Sequence, residues 1–181
     1  WGEKNPQDFM EQSRKYVYFL ALASGILITL LQITFYFMSL YVTKKFAPAF
    51  AFFNILCPSL FFMSIVIIPN IMLASKNINR QKISVITHFA GLFINVIGDI
   101  YVIYKGYGLT GVAVVTLITQ MAVTWAQFIF SIKYFTRSIK EKLTFFIKSH
   151  IPLIVSSFLI YLQRFVRRFE TTRAVKNHIE T

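Results

Sequence analysis

The chain alternates long uncharged apolar runs with short basic ones. Residues 16–42, 46–75 and 106–132 carry no Asp, Glu, Lys or Arg, and residues 83–104 carry only Asp99, beside the titratable His88. A hydrocarbon core about 30 Å thick takes about 20 residues of helix at about 1.5 Å rise each, so the pattern predicts four membrane-spanning helices. A fifth block, 143–162, is interrupted by Lys148, His150 and Pro152 and reads as a partial, re-entrant or interfacial helix. The expected fold class is therefore all-α: a polytopic membrane protein of four transmembrane helices plus a fifth partial or interfacial helix. Its expected divisions are a cytoplasmic lead-in (1–15), a four-helix membrane part (16–134), and a basic loop, partial helix and polar tail (135–181).

Composition makes the bilayer the main solvent of this chain, which is 56% hydrophobic and 17% aromatic. A net charge of +12 would suggest nucleic acid in a soluble protein, but here the cations sit between spans, where they fix orientation. No nucleic-acid partner is expected. With the N-terminus inside, Lys4, Arg14, Lys15, Lys76, Arg80, Lys82, Lys133, Arg137, Lys140, Lys142 and Lys148 fall in the cytoplasm, and only Lys44, Lys45 and Lys105 fall outside. Eleven against three selects a cytoplasmic N-terminus. Arg164, Arg167, Arg168, Arg173 and Lys176 would lie outside if the fifth block crosses. Cys57 is single and mid-span, so neither a disulfide framework nor metal-ligand spacing is present and it reads as a small buried hydrophobe. No metal or other cofactor is expected. Residues 1–15 hold no apolar signal core, and the first residue is Trp1 rather than Met, so a fragment of a longer protein is expected.

The second span carries Pro48, Pro58 and Pro69. Each removes a backbone donor and crowds the preceding turn, so Pro58 and Pro69 are hinge candidates, or else static kinks.

Three spans carry a polar or small face at helical spacing. The third aligns Ser84, His88, Gly91, Asn95 and Asp99; the fourth aligns Thr116, Gln120, Thr124, Gln127 and Ser131; the first aligns Gly25, Thr29, Gln32, Tyr36, Ser39 and Thr43. Lipid tails offer such groups no partner, so the stripes face one another across close helix contacts or line a water-filled cavity. The larger polar groups are costliest to bury unpaired, which makes Gln32, Asn95, Asp99, Gln120 and Gln127 the substrate-cavity candidates. Asp99 has a second reading, a topological anchor pairing with Lys105 across the turn. Catalytic signatures are absent: no Gly-x-Ser-x-Gly turn, no glycine-rich phosphate loop after a strand and no His/carboxylate metal spacing, so an enzyme is not expected.

A kinked helix, a short basic loop after Leu73-Ala-Ser, a helix ending Asn95-x-x-x-Asp99, a glycine turn, and Gly108-x-x-Gly111-Val-Ala113-x-x-Thr116 opening the next helix occur in that order. This order resembles the C-terminal lobe of polysaccharide flippases, the O-antigen transporter type of the multidrug/oligosaccharidyl-lipid/polysaccharide exporter superfamily, over roughly residues 16–134. That family shows Asn followed four residues later by Asn or Asp, then a turn and Gly-Ala-Ala-x-Ala-Thr; the chain keeps Asn95, Asp99, Gly111, Ala113 and Thr116 and departs at Val112 and Val115. The resemblance implies an alternating-access transporter of the bacterial inner membrane that flips undecaprenyl-pyrophosphate-linked oligosaccharide, with membrane lipids and a missing N-terminal lobe of the same chain as its other partners. In that register the fifth block is an incomplete thirteenth helix. A cation-coupled multidrug exporter of the same superfamily, with Asp99 as coupling carboxylate, is one alternative. A non-transporting membrane protein or membrane enzyme of polysaccharide assembly is the other.

Overall fold

The computed structural model describes residues 6–38, 41, 49–75, 78–136 and 138–158, and among them it is helical, with no strand. Helix α1 (Pro6–Phe37) is followed by α2 (Ala49–Ile65), α3 (Ile67–Ala74), α4 (Gln81–Tyr104) and α5 (Gly108–Ser131). A 3-10 turn (Ile132–Tyr134) then leads to α6, over 139–158. Four segments are long and apolar enough to cross a membrane: Asp8–Phe37, Phe52–Ala74, Gln81–Tyr104 and Gly108–Tyr134. The molecule is an all-α polytopic membrane protein. Ser39, Thr43, the basic turn with Lys44 and Lys45, Pro48 and the tail cations from Arg164 onward lie outside the described residues.

The first helix starts well before the apolar run at 16. Pro6 suits a first turn, where its missing N–H would have had no partner, Asp8 complements the helix dipole, and Glu11 pairs with Lys15 one turn on at 2.8 Å. A polar extension of α1 results.

The second span is interrupted only at Val66, between α2 and α3, where the backbone stays helical at φ −69° and ψ −18°. Pro69, three residues on, cannot donate to the Ile65 carbonyl and its ring crowds that turn, while Val66 N still bonds Phe62 O at 3.2 Å and Asn70 N bonds Val66 O at 3.1 Å. Pro58 behaves otherwise and sits within an uninterrupted α2.

Ring and side-chain contacts fix the path. Phe35 stacks on Phe53 at 3.9 Å, pairing the end of α1 with the start of α2 as an antiparallel hairpin. Helices α4 and α5 meet where Gly91 lies against Val123 and Gly98 against Val115, also antiparallel. Helix α6 instead runs parallel to α1: Tyr18 meets Phe145 at 5.5 Å and, seven residues further along both helices, Gly25 meets Pro152. A Cβ on Gly25 would lie 2.7 Å from the Pro152 Cβ, so only glycine allows this approach. Phe145 also packs on Phe128 and Phe135, and His150 lies among Phe61, Phe62 and Phe128, which seats α6 between α1, α2 and α5. The fifth predicted block is thus a partial helix standing along α1, its buried positions 145, 149 and 156 on one side and exposed Ile147, Ile151, Ile154 and Phe158 on the other.

These antiparallel crossings give the bundle two ends. The basic end gathers the starts of α1, α4 and α6 and the ends of α3 and α5, with Arg14, Arg80, Lys82, Lys133 and Lys140. The turn end holds the end of α1, the start of α2 and the α4–α5 connection. That connection closes α4 with a tight glycine cap: Tyr107 N bonds Val102 O at 2.9 Å and Gly106 N bonds Ile103 O at 3.0 Å around Gly106 at φ +80°. The apolar core lies toward the basic end, where Val17, Phe61, Ile65, Met72, Phe128, Phe135 and Phe145 pack together.

Candidate functional site

Polar groups within the spans fall into two levels. Nearer the basic end, Gln127 is completely buried on α5 and its Nε2 donates to Thr87 Oγ1 at 3.0 Å. The same nitrogen lies 2.8 Å from His88 Nδ1, which is itself 2.8 Å from the Ser84 carbonyl oxygen. An amide nitrogen only donates and a carbonyl only accepts, so the imidazole takes the Gln127 proton as its Nε2–H tautomer or, with the Gln127 amide turned over, donates to Ser84. The two bonds exclude each other. One turn toward the loop, Ser84 Oγ donates to Asn70 Oδ1 at 2.8 Å, tying α4 to α3, and Thr124 Oγ1 donates to Phe62 O at 3.1 Å, tying α5 to α2 just before the interruption at Val66. Cross-helix bonds of this kind average about 0.6 kcal/mol each in a bilayer, so they orient the helices more than they hold them.

Satisfaction is incomplete at both levels: toward the basic end Ser13 Oγ, Gln127 Oε1 and His150 Nε2 are buried without partners, and toward the turn end further atoms are. Asn95 Nδ2 donates to Asp99 Oδ2 at 3.0 Å along α4, while Asp99 Oδ1 is buried with no partner. Lys105 does not take up the anchoring role open to it in the sequence, because its Nζ sits 5.9 Å over the Tyr101 ring. Gln32 is buried on α1 with Nε2 unpartnered, facing Cys57 of α2, and Asn54, one turn before Pro58, is buried with Oδ1 unpartnered. On α5 the Thr119 hydroxyl is buried and unpartnered at the level of Gly91, while Gln120 beside it is half-buried.

The five cavity candidates are thus distributed rather than gathered. Asn95 and Asp99 are joined to each other and Gln127 to the α4 cluster; Gln32 belongs to the α1–α2 contact, and Gln120 bonds to none of the others. Sequence reasoning missed Asn54, Asn70, Thr87 and Thr119. Asn54 and Asn70 stand alone in an apolar run, and Thr87 lies one turn before Gly91 on the stripe face; those were the available signals. Thr119 precedes Gln120 directly and follows Thr116 by three residues, so its signal was a place at the edge of the α5 stripe.

Among the described residues no three His, Cys, Asp or Glu side chains gather where a metal ion could be held. A cleft of about 420 Å³ opens at the basic end, between the start of α1 and the start of α6, and none of the five candidates lines it. No protein-family model, curated protein or solved structure matches the chain.

Proposed function

We propose that the chain is part of a bacterial inner-membrane flippase that moves an undecaprenyl-pyrophosphate-linked oligosaccharide, for polysaccharide or O-antigen synthesis, by alternating access. The observation that carries this reading is the buried, unpartnered oxygen of Asp99, set beside Asn95 on a membrane-crossing helix. An acid among spans is expensive and persists where it serves a pathway. Gln32, Asn54 and Thr119 add unsatisfied donors and acceptors in the neighbouring helices, neutral groups of the kind that bond sugar hydroxyls. No Lys or Arg lies within residues 16–42, 46–75, 83–104 or 106–132, so in this reading the pyrophosphate is held at the span ends or by a second lobe. That second lobe is also what a four-span lobe would move against during alternating access. The interruption at Val66 is the matching place for a bend.

In cells that depend on the protein for surface polysaccharide, Asp99→Ala and Gln120→Leu each abolish most of it at normal expression. Unchanged polysaccharide in both variants overturns the assignment. Recovery with Asp99→Asn identifies hydrogen bonding, rather than charge, as the function of that position. Drug resistance that depends on Asp99 and on an ion gradient would instead favour the cation-coupled exporter.

A further inference from the structure

The cleft at the basic end has a composition unlike the rest of the bundle. Arg14 on α1 and Lys140 and Lys148 on α6 line it, and one carboxylate, Glu141, shares the wall, so the cations are in excess. Hydroxyl groups of Tyr18, Ser138 and Thr144 complete the polar lining. The bottom is aromatic: Phe145 is 1% exposed and its ring rests against Tyr18 at 5.5 Å. Convergence of these groups is a product of the fold, since α1 and α6 lie more than a hundred residues apart and meet only through the parallel register that also seats Gly25 on Pro152.

Position matters as much as composition. Arg14 and Tyr18 stand where the polar extension of α1 gives way to its apolar run, which is the headgroup level of a bilayer, and Lys148, more than two turns into α6, lines the same cleft. Nearby Lys15 is already paired with Glu11, whereas Arg14, Lys140 and Lys148 line the cleft. An inorganic salt counterion would need only the charge. A volume of about 420 Å³ with a charged rim and an aromatic bottom suits a larger group that is anionic at one side and apolar at the other.

We infer that this cleft binds a phosphate headgroup, the phosphodiester of an anionic membrane lipid, with Arg14 and Lys148 as its principal charge partners and the hydroxyls as donors to the remaining oxygens. Guanidinium and ammonium groups at one site divide the task, Arg bonding two oxygens at once and Lys acting as a point charge. Basic pockets between membrane helices on the cytoplasmic side are suited to such headgroups. The assignment stands whether or not the chain transports anything.

The test measures the melting temperature of the detergent-solubilised full chain against rising dioctanoyl phosphatidylglycerol, dioctanoyl phosphatidylcholine and inorganic phosphate. Phosphatidylglycerol should stabilise the protein saturably, and Arg14→Gln with Lys148→Gln should raise its half-saturating concentration about thirtyfold, about fivefold for each cation. The charge-preserving pair Arg14→Lys and Lys148→Arg should stay within a few-fold of the parent, which separates lost binding from lost folding. Equal stabilisation by inorganic phosphate would identify the free anion as the ligand of the same site. The inference is overturned if neither phosphatidylglycerol nor inorganic phosphate stabilises, if phosphatidylcholine stabilises as well as phosphatidylglycerol, or if Lys105→Gln with Lys133→Gln, cations outside the cleft, weakens the effect as much.

Discussion

The basic end and the turn end of the bundle are built from the same helices by different means. At the basic end α1, α2, α3, α5 and α6 converge, Phe128, Phe135 and Phe145 form a continuous aromatic layer, and Gln127 Nε2 bonds across the α4–α5 contact to Thr87 Oγ1. At the turn end α4 and α5 continue as a hairpin, Gly98 and Gly111 are what let them touch, and Gln32, Asn54 and Asp99 each leave a buried atom unpaired. Aromatic packing is concentrated at one end, while buried polar atoms without partners occur at both: Ser13 Oγ, Gln127 Oε1 and His150 Nε2 at the basic end, Gln32 Nε2, Asn54 Oδ1 and Asp99 Oδ1 at the turn end.

The sharpest way to break the contrast is Phe145→Ala, which removes the ring shared by Tyr18, Phe128 and Phe135 and should cost about 3–5 kcal/mol, read as an early loss of the thermal transition in detergent. Next comes Gly91→Ala. A methyl there meets Val123, so the variant should lose about 1–3 kcal/mol, and Val123→Ala in the same chain should restore most of it. A smaller effect belongs to the polar level of the basic end, where the double-mutant cycle of Gln127→Leu with Thr87→Val should give a coupling near 0.6 kcal/mol by reversible unfolding in micelles. Smallest is Asn95→Ala at the turn end, expected to shift stability by about 0.2–0.5 kcal/mol, the worth of a bond within one helix. If Asn95→Ala proved as damaging as Phe145→Ala, the two ends would not differ as described.

Much of this architecture is legible in the sequence because a bilayer imposes simple rules. Length and absence of charge mark the four spans, and the 3.6-residue period places Ser84, Gly91 and Asn95 on one face and Thr124, Gln127 and Ser131 on another. Periodicity does not say which faces meet. That Gln127 meets Thr87 and His88, while Gln32 meets Cys57, depends on the rotation of each helix about its axis, which glycine notches and bulky neighbours decide together. The packing of α6 was hidden for a different reason. Lys140, Lys142 and Lys148 make its sequence look interfacial, yet long cations reach the headgroups from a helix whose other side, with Phe145 and Ser149, is buried. The two prolines sit in different surroundings: Pro69 follows the interruption at Val66 by three residues, and Pro58 is absorbed within α2.

The parallel register of α1 and α6 acts as a parity check on the whole path. Two helices that point the same way through a membrane require an odd number of crossings between them, and the chain provides three: the interrupted span of α2 and α3, then α4, then α5. Were any of these three a loop that turned back within the bilayer, α6 would have to run against α1, and Tyr18 and Gly25 could not meet Phe145 and Pro152 in the same order. Two side-chain contacts on the first and last helices therefore constrain every turn between them.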